Sequence, residues 1–465
     1  MASLSGPQGY VQARNEADSM DGNLPAASFV RIVDGRPYFP LLKVDPSNKA
    51  SIIEIANAII SRSKKNAPEN CHGCAINAFS GKVNVTAITG GLTNALFKVD
   101  LPNSNSVLVR IFGAEGFIDR DEETTTFAQL CNRKGTLHDQ LELVGRFGNG
   151  RVETWIQNMR PASHIHDFGK EGFSLEVARQ VARLHYGFFA DASASGTRTK
   201  NVPRQPTIWK VIKSWSVELS RNLSHEKFQN DTKLMEIFHR AIMGPPNHQH
   251  GIIPSNIQSV ISSLSDDLVW LKTQVETRFP DAQVAFCHND VNAANILLDA
   301  SIDDDNGTTQ YDKQTVCIID YEYASTNYAM YDVANFVCEH CGGNDNGIPN
   351  YDLIPSDDRL VKFLHEYIRE RDEILLKNTT DEDDATKSIE VSDLISQVEL
   401  FQMASCLCWA IWGFLQATEE VIDGTFRMEN ALSRLEGDTD RTLFDYLRYG
   451  KNRLARFRYC KQLIM

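Results

Sequence analysis

Phe286-Cys-His-Asn-Asp-Val-Asn-Ala-Ala-Asn-Ile-Leu-Leu-Asp299 is the stretch from which the rest of the chain is read. Its core is His288-x-Asp290-x-x-x-x-Asn295. A second acid, Asp320, follows about 25 residues later in Val-Cys-Ile-Ile-Asp-Tyr-Glu-Tyr. The apolar runs beside these polar residues read as short strands. An Asp, an Asn five residues on, and an Asp on a later strand form a set suited to phosphoryl transfer. The first carboxylate can take a proton from a hydroxyl, and the other two side chains offer the hard oxygen ligands that Mg²⁺ prefers.

Protein kinases use the same layout, with His-Arg-Asp-x-x-x-x-Asn followed by Asp-Phe-Gly. Here Asn289 stands where the Arg would be, and Asp320-Tyr-Glu stands for Asp-Phe-Gly. The departures point to a kinase of small molecules, with ATP and Mg²⁺ as cofactors.

Composition narrows the partners. The chain has 465 residues, 42% apolar and 23% charged, which is ordinary for a globular protein and long enough for two lobes. A net charge of −14 argues against nucleic acid or an anionic membrane as the main partner, because phosphate surfaces call for basic patches. The acidic runs at 303–305 and 381–384 read as solvated loops. The first residues show neither a basic nor an apolar signal region, and the longest apolar run, Met403 to Leu415, is shorter than the ~20 residues a bilayer span needs. Ten cysteines in such a chain read as reduced thiols of a cytoplasmic protein. Cys71-x-x-Cys74 and Cys338-x-x-Cys341 lie too far apart for a zinc ribbon, and the second pair sits in a helical pattern.

Residues 1–40 lack sustained periodicity and read as a loose tail. Residues 41–160 read as a small β-rich lobe and 161–465 as a larger, mainly helical one. Asp45-Pro-Ser opens a helix with Ile52, Ile55, Ala56, Ile59 and Ile60 on one face. Two β-prone runs within 83–99 flank Gly90-Gly91, a hairpin; Val107 to Phe112 is a further strand. A helix follows from about Arg120 to Lys134, then a hairpin over 143–156 turning at Gly148-Asn-Gly150. In the second lobe Leu175, Ala178, Val181 and Leu184 share a helical face that Gly187 ends, and a β-rich island at 284–320 carries the signature residues. Polar insertions at 301–314 and 378–392 interrupt this lobe.

Each remaining chemical candidate also has a plain reading. Gly90, Gly91, Thr93 and Asn94 would let backbone approach phosphates, although most Gly-Gly turns are only turns. Arg110, alone in an apolar strand, would usually face solvent; in a kinase it fills the place of the cation on the α- and β-phosphates, with Glu123 favoured over Glu122 as its helix partner. Trp409 and Trp412 lie on one face of a helix. Either Trp alone is ordinary core. Together with Tyr323, Tyr449 and Glu339 they offer the π faces and charge that hold a quaternary ammonium, which has no N–H to donate.

With these motifs in order, the chain resembles the choline/ethanolamine kinase family from about residue 80 to the C-terminus. The resemblance rests on Gly90-Gly-Leu-Thr-Asn, Leu108-Val-Arg-Ile-Phe-Gly, Asp119-Arg-Asp-Glu-Glu, Cys287-His-Asn-Asp, Asn295-Ile-Leu, Ile319-Asp-Tyr-Glu-Tyr, Tyr331-Asp-Val-Ala-Asn, Trp409-Ala-Ile-Trp and Phe444-Asp-Tyr-Leu-Arg-Tyr. It implies an α+β, protein-kinase-like bilobal fold, MgATP as donor and an amino alcohol as acceptor, in the first step of cytidine-linked phospholipid synthesis. It also implies an acceptor pocket of Asp290, Tyr323, Glu339, Trp409, Trp412 and Tyr449, Mg²⁺ on Asn295 and Asp320, and a homodimer as in many members. Gly150-Arg-Val-Glu-Thr-Trp-Ile and Cys338-Glu339 resemble the choline-specific members, whereas Cys341-Gly-Gly343 departs from both groups and leaves room for ethanolamine. An ethanolamine-specific kinase, an aminoglycoside-type kinase and a catalytically dead scaffold are the competing readings.

Overall fold

The computed structural model describes residues 30–63, 83–88, 94–102, 106–113, 118–132, 140–194, 205–244, 257–302, 311–312, 315–343, 346–378, 389–429, 431–436 and 444–465. Gly90, Gly91, Thr93, Cys71, Cys74, both acidic runs and most of the two insertions lie outside these residues. The chain divides into two compact units: Met1–Asn132 with Gln140–Gln157, and Arg133–Asp139 with Asn158–Met465.

The first unit is built on one sheet. Its strands are β1 (Arg31–Val33), β2 (Arg36–Phe39), β3 (Asn84–Ile88), β4 (Asn94–Asp100), β5 (Ser106–Phe112), β6 (Leu143–Phe147) and β7 (Gly150–Thr154), in the order β1-β2-β6-β7-β5-β4-β3. Alternation sets the register. Val99, Val109, Ile111 and Val152 turn to one face, where they join Ile52, Ile55 and Ile59 of helix α1 (Lys49–Ile60) in a single core. Each such side chain contributes about 1.5–3 kcal/mol on burial. Helix α1 starts at Lys49 because Asn48 caps it, accepting from the amides of Ala50 and Ser51. Asp45 instead closes its own turn onto Ser47, so the helix opens three residues later than Asp45-Pro-Ser suggested. The β1–β2 hairpin falls inside the span read as tail: β2 pairs in parallel with β6 and seats Phe39 in the core. Gly150 lets β7 close onto β5, since a Cβ there would lie 2.2 Å from the Arg110 carbonyl. Helix α2 (Arg120–Cys131) completes the unit, capped by Asp119.

The second unit is mainly helical: α3 (Glu171–Ala194), α4 (Ile208–Leu223), α5 (Glu226–Gln229), α6 (Thr232–Met243), α7 (Ile257–Arg278), α8 (Ala329–Glu339), α9 (Asp357–Asn378), α10 (Val391–Asp423), α11 (Ala431–Glu436) and α12 (Tyr446–Ile464). Helix α3 runs through Gly187 instead of stopping there. Gly187 keeps a negative φ, and an interior glycine costs only about 1 kcal/mol, which packing of the buried Val177, Val181 and Leu184 face offsets. Two small sheets interrupt the helices: β8 (Met159–Pro161), β10 (Ile296–Asp299) and β11 (Val316–Ile318) in the order β11-β10-β8, and β9 (Val284–Cys287) against β12 (Ser325–Tyr328). Helix α10 is long and apolar enough by composition to cross a membrane, yet 89% of its apolar window is buried inside the protein. It is the core helix of this unit, packed on α4, α8 and α12. Gly413 on α10 and Gly450 on α12 meet where these helices cross. A Cβ on Gly450 would lie 2.8 Å from the Ala410 carbonyl, and one on Gly413 would lie 2.9 Å from the Gly450 amide.

Candidate active site

Strand β9 delivers the signature loop, and two carboxylate contacts fix its path. The amides of His288 and Asn289 donate to Asp332 Oδ2 and Oδ1 at 2.6 and 2.7 Å. Asp332 is buried on α8, and His185 Nε2 lies 3.1 Å from it, with Tyr367 OH 2.7 Å from His185 Nδ1. Asn289 takes a left-handed φ of 68°, a conformation Asn tolerates better than most residues. Its side chain and carbonyl are held by Tyr323, Ser325, Asn327 and Asn335. His288 serves the loop as well. Burial lowers its pKa, so the ring is neutral; Nε2–H donates to the Ile319 carbonyl at 2.9 Å, and Nδ1 accepts from the Asp290 amide at 3.2 Å.

This loop presents Asp290 beside Asn295 and Asp320. Asn292 donates to both Asp290 carboxylate oxygens at 3.0 Å, and Asn295 Nδ2 donates to Asp290 Oδ2 at 2.9 Å and to its carbonyl at 3.0 Å. The β10–β11 register does the rest. Ile296 faces Ile318, and the Ile319 amide donates to the Asn295 carbonyl at 2.8 Å, which sets Asp320 next in line. Asp320 also sits at positive φ, 66°, a strained setting of the kind that clusters at functional sites. Burial raises the Asp290 pKa well above the ordinary carboxylate range, opposed by Asn292 and reinforced by Glu339, Glu322 and Asp320.

That arrangement suits a hard divalent cation. With the Asn295 amide nitrogen committed to Asp290, its Oδ1 is left as the oxygen donor, and Asp320 supplies a carboxylate. Crowded negative charge around Asp290 is what a bound cation would relieve.

The aromatic residues converge on the same group of acids. The rings of Tyr323 and Trp409 stand 5.6 Å apart, Trp409 and Trp412 5.6 Å, and Trp412 and Tyr449 6.0 Å, each pair edge to face. The Tyr323 pKa is raised by burial, then by Glu322 and Asp290; that of Tyr449 is raised by burial and by Glu339 and Asp290, against Arg453. Asp290, Glu339, Tyr323 and Tyr449 therefore share one electrostatic environment. Trp215 on α4 adds a ring 6.0 Å from Tyr323, and Tyr446 another 5.5 Å from Trp412; neither was singled out by sequence. Glu339 accepts from buried Arg453 at 3.0 Å, and that guanidinium lies 5.1 Å over the Tyr449 ring.

In the first unit Arg110 is buried, not solvent-facing. It donates to Glu153 at 3.0 Å, while Arg151 bonds Glu123 at 2.6 Å and Glu153 at 2.5 Å, and Arg120 bonds Glu123 at 2.8 Å. Arg110, Glu123, Arg151 and Glu153 are all at most 4% exposed. Burial opposes charge on Glu123, but Arg151 and then Arg110 outweigh it and hold the carboxyl below its usual range. Arg151 and Glu153 entered the sequence reading only within Gly150-Arg-Val-Glu-Thr-Trp-Ile, with no part in this cluster. Their signal was spacing: residues two apart on a strand share a face, and Arg151 is the cross-strand partner of Arg110. Asn94 is buried at the start of β4, opposite Phe112.

A family profile described as choline/ethanolamine kinase matches residues 85–458. A probable choline kinase 2 of Arabidopsis thaliana is 27% identical over 370 residues, covering 77% of this chain and 85% of that protein. A probable ethanolamine kinase of Nematostella vectensis is 32% identical over 308 residues, covering 66% of this chain and 81% of its own. Among solved structures, an ethanolamine kinase of Plasmodium vivax aligns with a TM-score of 0.55 at 19% identity, over 88% of this chain and 89% of that one. A choline kinase of Cryptosporidium parvum aligns with a TM-score of 0.51 at 20% identity, over 82% and 90%. The fold is protein-kinase-like, with a sheet-based unit and a mainly helical one.

Proposed function

Since this chain belongs to the choline/ethanolamine kinase family and is a kinase, we propose that it transfers the γ-phosphoryl group of ATP to the hydroxyl of choline, with ethanolamine as a second acceptor. The observation that carries the acceptor class is the run of edge-to-face rings, Tyr323, Trp409, Trp412 and Tyr449, around the acids Asp290 and Glu339. A trimethylammonium group cannot donate hydrogen bonds, so π faces and carboxylates are what can hold it. Ethanolamine could use the same acids by donating N–H bonds.

Asp290 would accept the hydroxyl proton as its oxygen attacks the γ-phosphorus. Asn292 and Asn295 aim the carboxylate, and Asp332 holds the loop backbone so that aim is kept. Mg²⁺ held by Asn295 and Asp320 would supply charge neutralisation for the phosphates. Arg110, steadied by Glu153 and the Glu123–Arg151 pair, would meet the α- and β-phosphates, and Gly90, Gly91, Thr93 and Asn94 would form the phosphate-facing turn. Eight free cysteines among the described residues agree with a reducing, cytoplasmic setting.

Trp412→Ala tests the acceptor reading. The choline KM should rise about 2- to 30-fold, the equivalent of ~0.5–2 kcal/mol for one cation–π contact, with the ATP KM unchanged. Equal rises in both would make Trp412 a packing residue.

A further inference from the structure

A cavity of about 380 Å³ lies apart from the rings just described, lined in part by Cys338, Cys406, Cys460, Tyr351, Arg456 and Leu463. Leu463 is 70% exposed, so the cavity reaches the surface beside the end of α12. Cys338 on α8 points its sulfur at the Gln402 carbonyl, 3.8 Å away, one helical turn before Cys406 on α10. The two thiols thus line one solvent-connected wall from facing helices. Arg453 is fully buried nearby, and its Nε and Nη1 have no hydrogen-bond partner among the described groups. A buried guanidinium with idle donors favours an anion beside it.

The electrostatics divide the pair into two roles. The neighbouring Cys338 thiol is the largest influence on Cys406 and, with Arg453 and Arg456, holds that thiol below its ordinary value against burial. The neighbouring Cys406 and then burial push Cys338 up. The Arg453 and Arg456 guanidinium groups beside Cys406 favour the ionised form of that sulfur, the form that attacks a peroxide.

We infer that Cys406 and Cys338 form a reversible disulfide on exposure to a hydroperoxide and that this disulfide weakens acceptor binding. The Cys406 thiolate attacks one peroxide oxygen; an S–O bond forms, the O–O bond breaks, and hydroxide leaves. The Cys338 sulfur then attacks Cys406; the S–S bond forms, the S–O bond breaks, and the Cys338 proton leaves with the hydroxyl as water. Two sulfurs each give one electron, and the peroxide is reduced by two. Glu339 follows Cys338 in the chain and accepts from Arg453, and α10 also carries Trp409 and Trp412. Linking the helices here moves both walls of the ring cluster and takes the Cys406 sulfur away from Arg453, leaving Glu339 as its carboxylate partner. The effect on acceptor binding rests on the function proposed above; the disulfide does not.

The test treats the full chain with hydrogen peroxide, blocks free thiols, and maps cysteine-containing peptides by mass spectrometry, with acceptor KM measured in parallel. Expected are a linked Cys338–Cys406 peptide pair lighter by two hydrogens and an acceptor KM raised roughly fivefold, the loss of about one ring contact. Dithiothreitol should reverse both, and Cys406→Ser and Cys338→Ser should respond to peroxide with neither. A link to Cys460, sulfinic acid at Cys406 without a link, or both thiols left free in the wild-type chain would overturn the disulfide. A Cys338–Cys406 link with unchanged acceptor KM in an active kinase would overturn the switch. Because mapping is done on the wild-type chain, the disulfide is decided even where a serine variant folds poorly or the acceptor proves to be another alcohol.

Discussion

Substituting Gly450 by alanine loads the crossing of α10 and α12 with one methyl group. The new Cβ would lie 2.8 Å from the Ala410 carbonyl oxygen and 2.8 Å from Phe414 Cδ1, whereas ordinary contact begins near 3.4 Å. The helices must part by about 0.6 Å, or Phe414 must leave its rotamer, and overpacking of this kind costs about 1–3 kcal/mol. Gly450 adjoins Tyr449 and Gly413 adjoins Trp412, so the displacement falls on the pair of rings now 6.0 Å apart. Urea unfolding should report the stability loss. Steady-state kinetics should show a choline KM raised about 2- to 30-fold with the ATP KM unchanged. A variant destabilised by that amount yet unchanged in choline KM would refute the coupling of the helix crossing to the acceptor site.

Two other perturbations test different parts of the account. Glu153→Gln leaves Arg110 and Arg151 directly opposite each other in the buried sheet with one acceptor fewer; the expected loss is about 3–5 kcal/mol by urea unfolding together with a higher ATP KM, and a loss near zero would mean water already screens the pair. Glu420, at the end of α10, has its pKa raised by burial and by Asp445 to about 7, from 4.5. Between those values the folded chain holds a proton that the unfolded chain has lost, so stability falls as pH rises through that window. Glu420→Gln should flatten that slope in urea midpoints measured from pH 5 to 8, and a slope equal to wild type would remove Glu420 as its source.

What could be read ahead of the structure was local. Asp290 and Asn295 are five residues apart, and a residue-type pattern of that length survives any arrangement of the rest of the chain. Trp409 and Trp412 could be put on one helix face by their spacing, which the 33-residue α10 preserves. The missed features depend on pairing between distant segments. Arg151 became a partner of Arg110 only through the β5–β7 register, and Arg453 met Glu339 across 114 residues. Strands of three and four residues, as in β1 and β2, are too short to show a period, so the hairpin read as tail. Glycine inside a helix reads as a break. Gly187 does not break α3, and Gly413 and Gly450 exist for a close approach that no single helix pattern reveals.

ADP release from MgATP, with choline and ethanolamine titrated in parallel and Asp290→Asn as the blank, tests the central claim most directly. The account predicts acceptor-dependent turnover with choline preferred, and a loss of about 10²–10⁴-fold in the Asp290→Asn enzyme, which should still fold and bind nucleotide. Turnover with neither amino alcohol in a folded, ATP-binding protein, or near-wild-type turnover in Asp290→Asn, would contradict it.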